Sequence, residues 1–225
     1  RRVLFRSRPG PVLIDITKDA QIGSADFDWD AAAPDAEEAV RGAESFGADA
    51  VALINASERP LILAGHGIML GHGEQAVLAF AEKANIPVAM TLLGIGAVPA
   101  SHPLNLGMMG MHGEAWVNEA IQQADLLIAL GMRFDDRVTG NLKTYAQHAK
   151  KIHVDVDPAE FNKIVPVDAG VLGDAGDVVR SWMPHLAPKD HTAWIQSIVA
   201  MKGDAAVRDI KNLPDEGHLY AAHVI

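Results

Sequence analysis

Residues 131–140 read Gly-Met-Arg-Phe-Asp-Asp-Arg-Val-Thr-Gly, with Arg133 and Arg137 four positions apart around Asp135 and Asp136. A guanidinium is a planar fork of donors that matches a pyrophosphate or a carboxylate. Two of them on one short segment can therefore hold an anionic ligand. The same charges also suit an exposed turn laced with salt bridges. What precedes them favours binding. Leu-Leu-Ile-Ala-Leu (126–130) is an unbroken apolar run of the kind buried in a parallel sheet. Gly131 follows at its carboxyl end, the edge where open α/β sheets take ligands and where a missing side chain lets another molecule near the backbone.

Three other loops have the same character. The strand predicted at 60–64 leads into Gly-His-Gly-Ile-Met-Leu-Gly-His-Gly (65–73), whose spacing departs from the strict dinucleotide fingerprint. Its glycines can expose N–H groups to a phosphate or a ring, or simply make a tight turn. The strand at 87–90 ends in Thr-Leu-Leu-Gly-Ile-Gly (91–96), and Leu-Gly-Met-Met-Gly-Met-His-Gly (106–113) follows before a helix. Methionines there either face a flat heteroaromatic ring or fill core gaps. The strand at 151–156 ends in His-Val-Asp-Val-Asp-Pro (153–158). Asp155 at such a tip suits a ribose hydroxyl, and Asp157 before Pro158 suits a helix cap, while the pair could also hold Mg2+. Asp174 marks one more strand-to-helix junction.

The elements that must position these loops alternate. Strands at 60–64, 87–90, 126–130 and 151–156 are interleaved with helices at 73–84, 114–124 and 176–186, which predicts an α/β fold: a Rossmann-like parallel sheet with helices on both faces. Outside this unit the pattern predicts a short strand at 12–16, a polar connector at 18–34 and a helix over 43–54. A Pro-containing break at 185–190 precedes a helix from 192 to about 201, and another helix begins at 218–225.

Composition narrows the function classes. The 225 residues are 49% hydrophobic and 21% charged, ample for a core, and the formal net charge is −10. That balance argues against nucleic acid or an anionic membrane as partner. No apolar run approaches the roughly 20 residues of a spanning helix. The absence of cysteine removes disulfides, thiolate metal sites and thiol nucleophiles, in keeping with a cytoplasmic setting. The ten histidines form no zinc spacing, and no Ser–His–Asp pattern or acid–base pair stands out, so no catalytic residue is assigned. Four loops, after the strands at 60–64, 87–90, 126–130 and 151–156, bring together glycines, arginines and an acid and suggest a nucleotide-like ligand.

Taken together these segments resemble the acetolactate synthase (acetohydroxyacid synthase) catalytic subunit family of thiamine diphosphate enzymes. The resemblance rests on Arg-Pro-Gly-Pro-Val-Leu-Ile-Asp-Ile-Thr-Lys-Asp (8–19), Arg-Pro-Leu-Ile-Leu-Ala-Gly (59–65) and Thr-Leu-Leu-Gly-Ile-Gly (91–96). Gly-Met-His-Gly (110–113), the 131–140 signature and Ile-His-Val-Asp-Val-Asp-Pro-Ala-Glu (152–160) complete it, in the family's order. It implies that 1–20 is the tail of a pyrimidine-binding domain, with 1–7 matching nothing, and 21–34 a linker. Residues 35–187 would be an FAD-binding central domain, 188–214 a linker and 215–225 the start of a diphosphate-binding domain. The chain would then be an enzyme piece, inactive alone, with the main contacts to thiamine diphosphate and Mg2+ outside it.

The implied reaction condenses pyruvate with a second 2-ketoacid (pyruvate or 2-ketobutyrate), releasing CO2 and giving 2-acetolactate or 2-aceto-2-hydroxybutyrate for branched-chain amino acid synthesis. FAD undergoes no net redox change. Carried over by position, flavin contacts fall on Arg8, Gly65, Gly67, Thr91, Leu92, Gly110, Met111, His112, Gly131, Arg133, Asp135 and Val138. The adenosine end falls on Asp155, Val156 and Asp174, and Arg137 orients the second substrate's carboxylate. A homodimer or tetramer with a regulatory small subunit is implied for the whole enzyme. Another thiamine-dependent carboligase or decarboxylase, or a stand-alone nucleotide-binding module, are the competing expectations.

Overall fold

The computed structural model describes residues 16–24, 26 and 47–202. The strand expected at 12–16 (but for Ile16), Arg8, residues 43–46 of the 43–54 helix, residues 25 and 27–34 of the 18–34 connector and the helix start at 218–225 lie outside them. Within the connector, α1 (Lys18–Ile22) is a short helix with no buried residue.

Six parallel strands form one sheet: β1 (Pro60–Ala64), β2 (Val88–Met90), β3 (Asn105–Met108), β4 (Leu126–Leu130), β5 (Lys150–Asp155) and β6 (Ala169–Leu172). Their order is β3-β2-β1-β4-β5-β6. The chain thus builds outward from β1 in one direction, returns to lay β4 on the other flank of β1, and builds outward again. β1 and β4 are buried at all five positions each, and pair in register from Pro60 with Leu126 to Ala64 with Leu130. Unbroken apolar strands require cover on both faces.

That cover is supplied by helices on each side. One face buries Ile62, Ala64, Ile128 and Leu130 with α2 (Ala48–Ala56), α4 (Glu74–Ala84) and α7 (Ala175–Trp182). The other buries Leu61, Leu63, Leu127 and Ala129 with α5 (Ala115–Gln123) and α8 (Thr192–Lys202). Helical spacing puts Val77, Phe80, Ala81 and Ala84 on one stripe of α4, which Asn85 closes in the left-handed conformation. Trp182 is fully buried at the end of α7, with its ring centroid 5.9 Å from that of Phe80. α7 begins at Asp174, whose Oδ1 accepts the Gly176 N–H at 2.8 Å. None of the described helices is long and apolar enough to cross a membrane.

The structure differs from the sequence expectation in three places. β3 is a strand that the sequence pattern does not predict, and β6 supplies the strand that the junction at Asp174 implied without giving its bounds. Both are short sheet edges, one interrupted by Gly107 and the other half-exposed, so neither carries a sustained apolar pattern. The 65–73 segment is not a simple turn into a helix, for it contains a separate helix, α3 (His66–Leu70). The third difference concerns the connector expected from 188, whose first part packs on the body. Trp194 Nε1 donates to the Pro60 carbonyl at 3.0 Å, His191 sits between the Ala84 and Ser57 carbonyls, and Lys189 Nζ donates to Ser57.

Replacing Trp182 by Ala should remove the largest side chain of the α4–α7 layer and destabilise the fold by about 3–5 kcal/mol in urea unfolding. A loss under about 1 kcal/mol would mean this layer contributes little. A second test uses pH. Burial holds the Asp174 carboxyl above its ordinary range, against the opposing pull of the Gly176 and Asp177 amides. The folded chain therefore keeps this proton more tightly than the unfolded chain. Its contribution is largest in acid and falls as pH rises through the carboxylate range, from about pH 4 upward. Asp174→Asn keeps an acceptor for Gly176 and should lessen that fall. Identical pH profiles of unfolding free energy for the two proteins would refute this.

Candidate functional site

The reversal of strand order puts the topological switch point of the sheet at the carboxyl ends of β1 and β4, where open α/β sheets take ligands. Two backbones approach one another there. Gly65 N–H donates to the Leu130 carbonyl at 3.0 Å and Gly67 N–H to the Gly131 carbonyl at 2.9 Å. Gly131 N–H in turn donates to Val154 at 2.9 Å. A Cβ on Gly65 would stand 2.3 Å from the Gly131 oxygen, and one on Gly67 2.7 Å from the Gly131 Cα. Gly131 itself has φ +59°, a conformation that costs any side-chain-bearing residue.

This corrects one sequence reading. The N–H groups of Gly65 and Gly67 are engaged inside the protein and are not offered to a phosphate. What these glycines provide is a close approach of the two backbones, since neither carries a side chain into the crossing.

β2 supplies the neighbouring loop. Thr91 N–H donates to Ala64, and its hydroxyl accepts Gly94 N–H at 3.1 Å, capping a 3-10 turn over Leu92–Gly94. His66 Nδ1 lies 2.9 Å from the Leu93 carbonyl and ties this turn to α3. Leu92 and Leu93 are each 66% exposed and Ile95 50%, so the edge carries an apolar lip.

The methionine-rich loop divides its roles. Met109 is buried and fills the core, whereas Met111 is 59% exposed and His112 is exposed as well. Gly110 is held by Asn118, which accepts from its N–H at 2.8 Å and donates to its carbonyl at 2.9 Å. Met111 N–H donates to the Arg137 carbonyl at 2.8 Å, and a Cβ on Gly110 would stand 2.5 Å from that same oxygen. The methionine loop and the arginine segment are therefore sewn together.

The arginine segment is not the open turn that its charges also allowed. Asp135 begins a one-turn helix, α6 (Asp136–Thr139), which carries Arg137 and the half-buried Val138. Arg133 Nε donates to Asp135 Oδ2 at 3.2 Å, with the Arg133 side chain 61% exposed. The second oxygen, Asp135 Oδ1, is buried and has no hydrogen-bond partner among the described residues. Arg137 is exposed, contacts only Met111 Sδ at 3.9 Å through Nη1, and forms no ion pair among the described residues. Hence, among the described residues, the salt-bridge reading holds for Arg133 and not for Arg137.

At the β5 tip, Asp155 is 4% exposed and its Oδ1 accepts Asp157 N–H at 2.9 Å. Asp157 Oδ1 accepts Ala159 N–H at 3.0 Å and caps the 3-10 turn at Pro158–Glu160, as its place before proline suggests. The paired-aspartate Mg2+ option loses support, because both carboxylates serve backbone amides. Val156 is half-exposed beside them. Asp174 Oδ2 would lie 1.9 Å from a Cβ on Gly71, so this acid packs against the loop between α3 and α4.

Beneath the arginine segment lies a layer that the motifs did not single out. His153 Nε2 donates to the Met132 carbonyl at 2.7 Å, and Phe134 stands edge-on to both His153 and Tyr145. Burial pushes the Tyr145 phenol well above its ordinary range, so it stays protonated. Strand alternation could have flagged His153, which lies two positions before Asp155, on the same strand face.

A flavin nucleotide fits this arrangement on two counts. The carboxyl edge carries no side chain at Gly65, Gly67 and Gly131, and Asp135 Oδ1 is a buried acceptor with no donor among the described residues.

Comparison with known proteins bears out the resemblance. The family described as "Thiamine pyrophosphate enzyme, central domain" matches residues 48–181. The chain is 42% identical over 203 residues to the probable acetolactate synthase large subunit of Methanocaldococcus jannaschii, covering 87% of this chain and 34% of that protein. It is 39% identical over 201 residues to the acetolactate synthase isozyme 1 large subunit of Escherichia coli, covering 89% and 35%. With the acetolactate synthase large subunit of Corynebacterium glutamicum the identity is 44% over 206 residues, covering 87% and 32%. The chain spans about a third of the length of these curated relatives. A match over 48–181 on a six-stranded parallel sheet establishes the family: this chain belongs to the thiamine pyrophosphate enzymes and carries their central domain.

Proposed function

We propose that this chain is the FAD-binding part of an acetolactate synthase large subunit. The observation that carries the reading is the contact of Gly65 and Gly67 with Gly131 at the switch point, two residues before Arg133. A sheet edge without side chains at its reversal, bordered by a cation and an apolar lip, suits a flat ring joined to a pyrophosphate. Identities of 39–44% to acetolactate synthase large subunits favour this over a related carboligase, a decarboxylase or a lone nucleotide module.

On this reading Gly65, Gly67, Gly110 and Gly131 admit the flavin, and Thr91, Leu92, Met111, His112 and Val138 line it. Arg133 engages the pyrophosphate. Asp135, through its unsatisfied oxygen, accepts a hydroxyl or N–H of the ligand, and Arg8 adds a contact from the preceding segment. Asp155 and Val156 serve the adenosine through their backbone, since the Asp155 carboxylate is buried, while Asp174 offers its half-exposed carboxyl. FAD is a structural ligand with no net redox change.

Thiamine diphosphate with Mg2+, held mainly outside this chain, supplies the nucleophilic carbon for decarboxylating pyruvate. Arg137, exposed and free of an acid among the described residues, binds the carboxylate of the second 2-ketoacid, pyruvate or 2-ketobutyrate, and so orients its carbonyl. The proposed setting is a cytoplasmic homodimer or tetramer with a regulatory small subunit, the partner that the relatives' description as large subunits points to.

FAD titration of the purified chain, followed by flavin fluorescence, tests the first role. Arg133→Ala should weaken binding by roughly tenfold to a hundredfold, the loss of a charge-assisted contact worth about 1.5–3 kcal/mol. Equal affinities would take Arg133 out of the site. For Arg137, steady-state kinetics of the full-length enzyme are decisive. Arg137→Ala should raise KM for the second ketoacid about tenfold or more while leaving FAD affinity within about twofold. An unaltered KM would end that assignment.

A further inference from the structure

We propose that His153 is a positioning residue for the arginine segment: its Nε2–H holds the Met132 carbonyl and thereby fixes the direction in which Arg133 leaves the sheet edge. This rests on the flavin reading for its consequence, but not for its geometry.

The segment alternates inward and outward. Met132 is 4% exposed and Phe134 3%, whereas the Arg133 side chain between them is 61% exposed. An outward arginine therefore depends on two inward anchors. Gly131 at φ +59° makes the bend but cannot lock it, since glycine explores more backbone space than any other residue. The lock comes from β5. His153 is 1% exposed and reaches sideways beneath β4's loop to the Met132 carbonyl at 2.7 Å. A buried carbonyl left without a donor is unfavourable, so reversing the peptide between Met132 and Arg133 is opposed as long as Nε2 carries its proton.

The ring is packed by aromatic neighbours. Phe134 stands edge-on to it with centroids 5.2 Å apart, and Phe161 likewise at 5.4 Å. Asp155 Oδ2 lies 3.8 Å from Nε2 and reinforces the donor electrostatically. One buried imidazole thus links the β5 tip, which carries the Asp155–Val156 backbone, to the segment carrying Arg133, Asp135 and Arg137. Its chemistry separates it from a plain core residue: an apolar ring fills the same space and lacks the donor.

The test compares His153→Phe, which keeps a flat ring, with His153→Gln, whose amide nitrogen restores a donor near Nε2. In hydrogen exchange of the purified chain, His153→Phe should speed exchange across 131–140 about tenfold or more, leaving 61–64 and 126–130 within about twofold. It should weaken FAD binding about tenfold, and His153→Gln should recover both within about threefold. Unchanged exchange over 131–140 in His153→Phe would overturn the proposal, as would a uniform loss of protection or failure of His153→Gln to recover. Should His153→Phe not fold, 15N spectra of the wild-type imidazole decide: a proton on Nε2 is expected, and a bare Nε2 refutes the donor. Absence of FAD binding by the wild-type chain would instead overturn the flavin reading, while the exchange and 15N results would still judge His153.

Discussion

Two backbones cross at Gly67 and Gly131 with no room between them for a methyl group, and the rest of the site is arranged around that crossing. Gly131 is bonded on one side to Gly67 and on the other to Val154, so hydrogen bonds join the β1, β4 and β5 tips at this point. The sheet imposes this, since β1 and β4 are in register to their last residues and their loops emerge side by side. Any side chain there would pry the tips apart. The glycines are thus a packing requirement first and a ligand allowance second.

Rigidity spreads outward from the crossing by backbone hydrogen bonds more than by side chains. The Arg137 carbonyl receives Met111, Asn118 holds Gly110 at both its N–H and its carbonyl, and the Met132 carbonyl receives His153. Each ties a loop that carries an exposed group to one that is buried. Surface arginines ordinarily have large rotamer freedom, so their usefulness depends on where their backbone is pinned. Arg133 is half-committed to Asp135, and Arg137 is not committed to any acid among the described residues. The first suits a residue that shares its charge between protein and ligand, and the second a residue that meets a substrate late.

Stability and function sit on different parts of the same sheet. The two faces bury long apolar rows whose loss would be felt throughout, whereas the carboxyl edge exposes Leu92, Leu93, Ile95 and Met111. An apolar lip in water is unfavourable by itself, and its presence at the switch point agrees with a surface meant to be covered.

By themselves the residues determined a good deal. The unbroken runs 60–64 and 126–130 could only be buried strands, and the glycine loops at 65–73 and 131–140 had to follow them at one edge. The motifs named the family, and Asp157 before Pro158 announced its own cap. These are legible because they rest on local periodicity and on residue types with few alternatives. The tertiary structure alone decided the strand order, the edge strand β3, the docking of α8, and the partners of each loop amide. It showed that the Gly65 and Gly67 amides turn inward, that Asp155 is buried, and that His153 stands under Met132. Such facts depend on contacts between residues far apart in the chain, and hydrogen-bond partners across that distance leave no periodic trace in either segment.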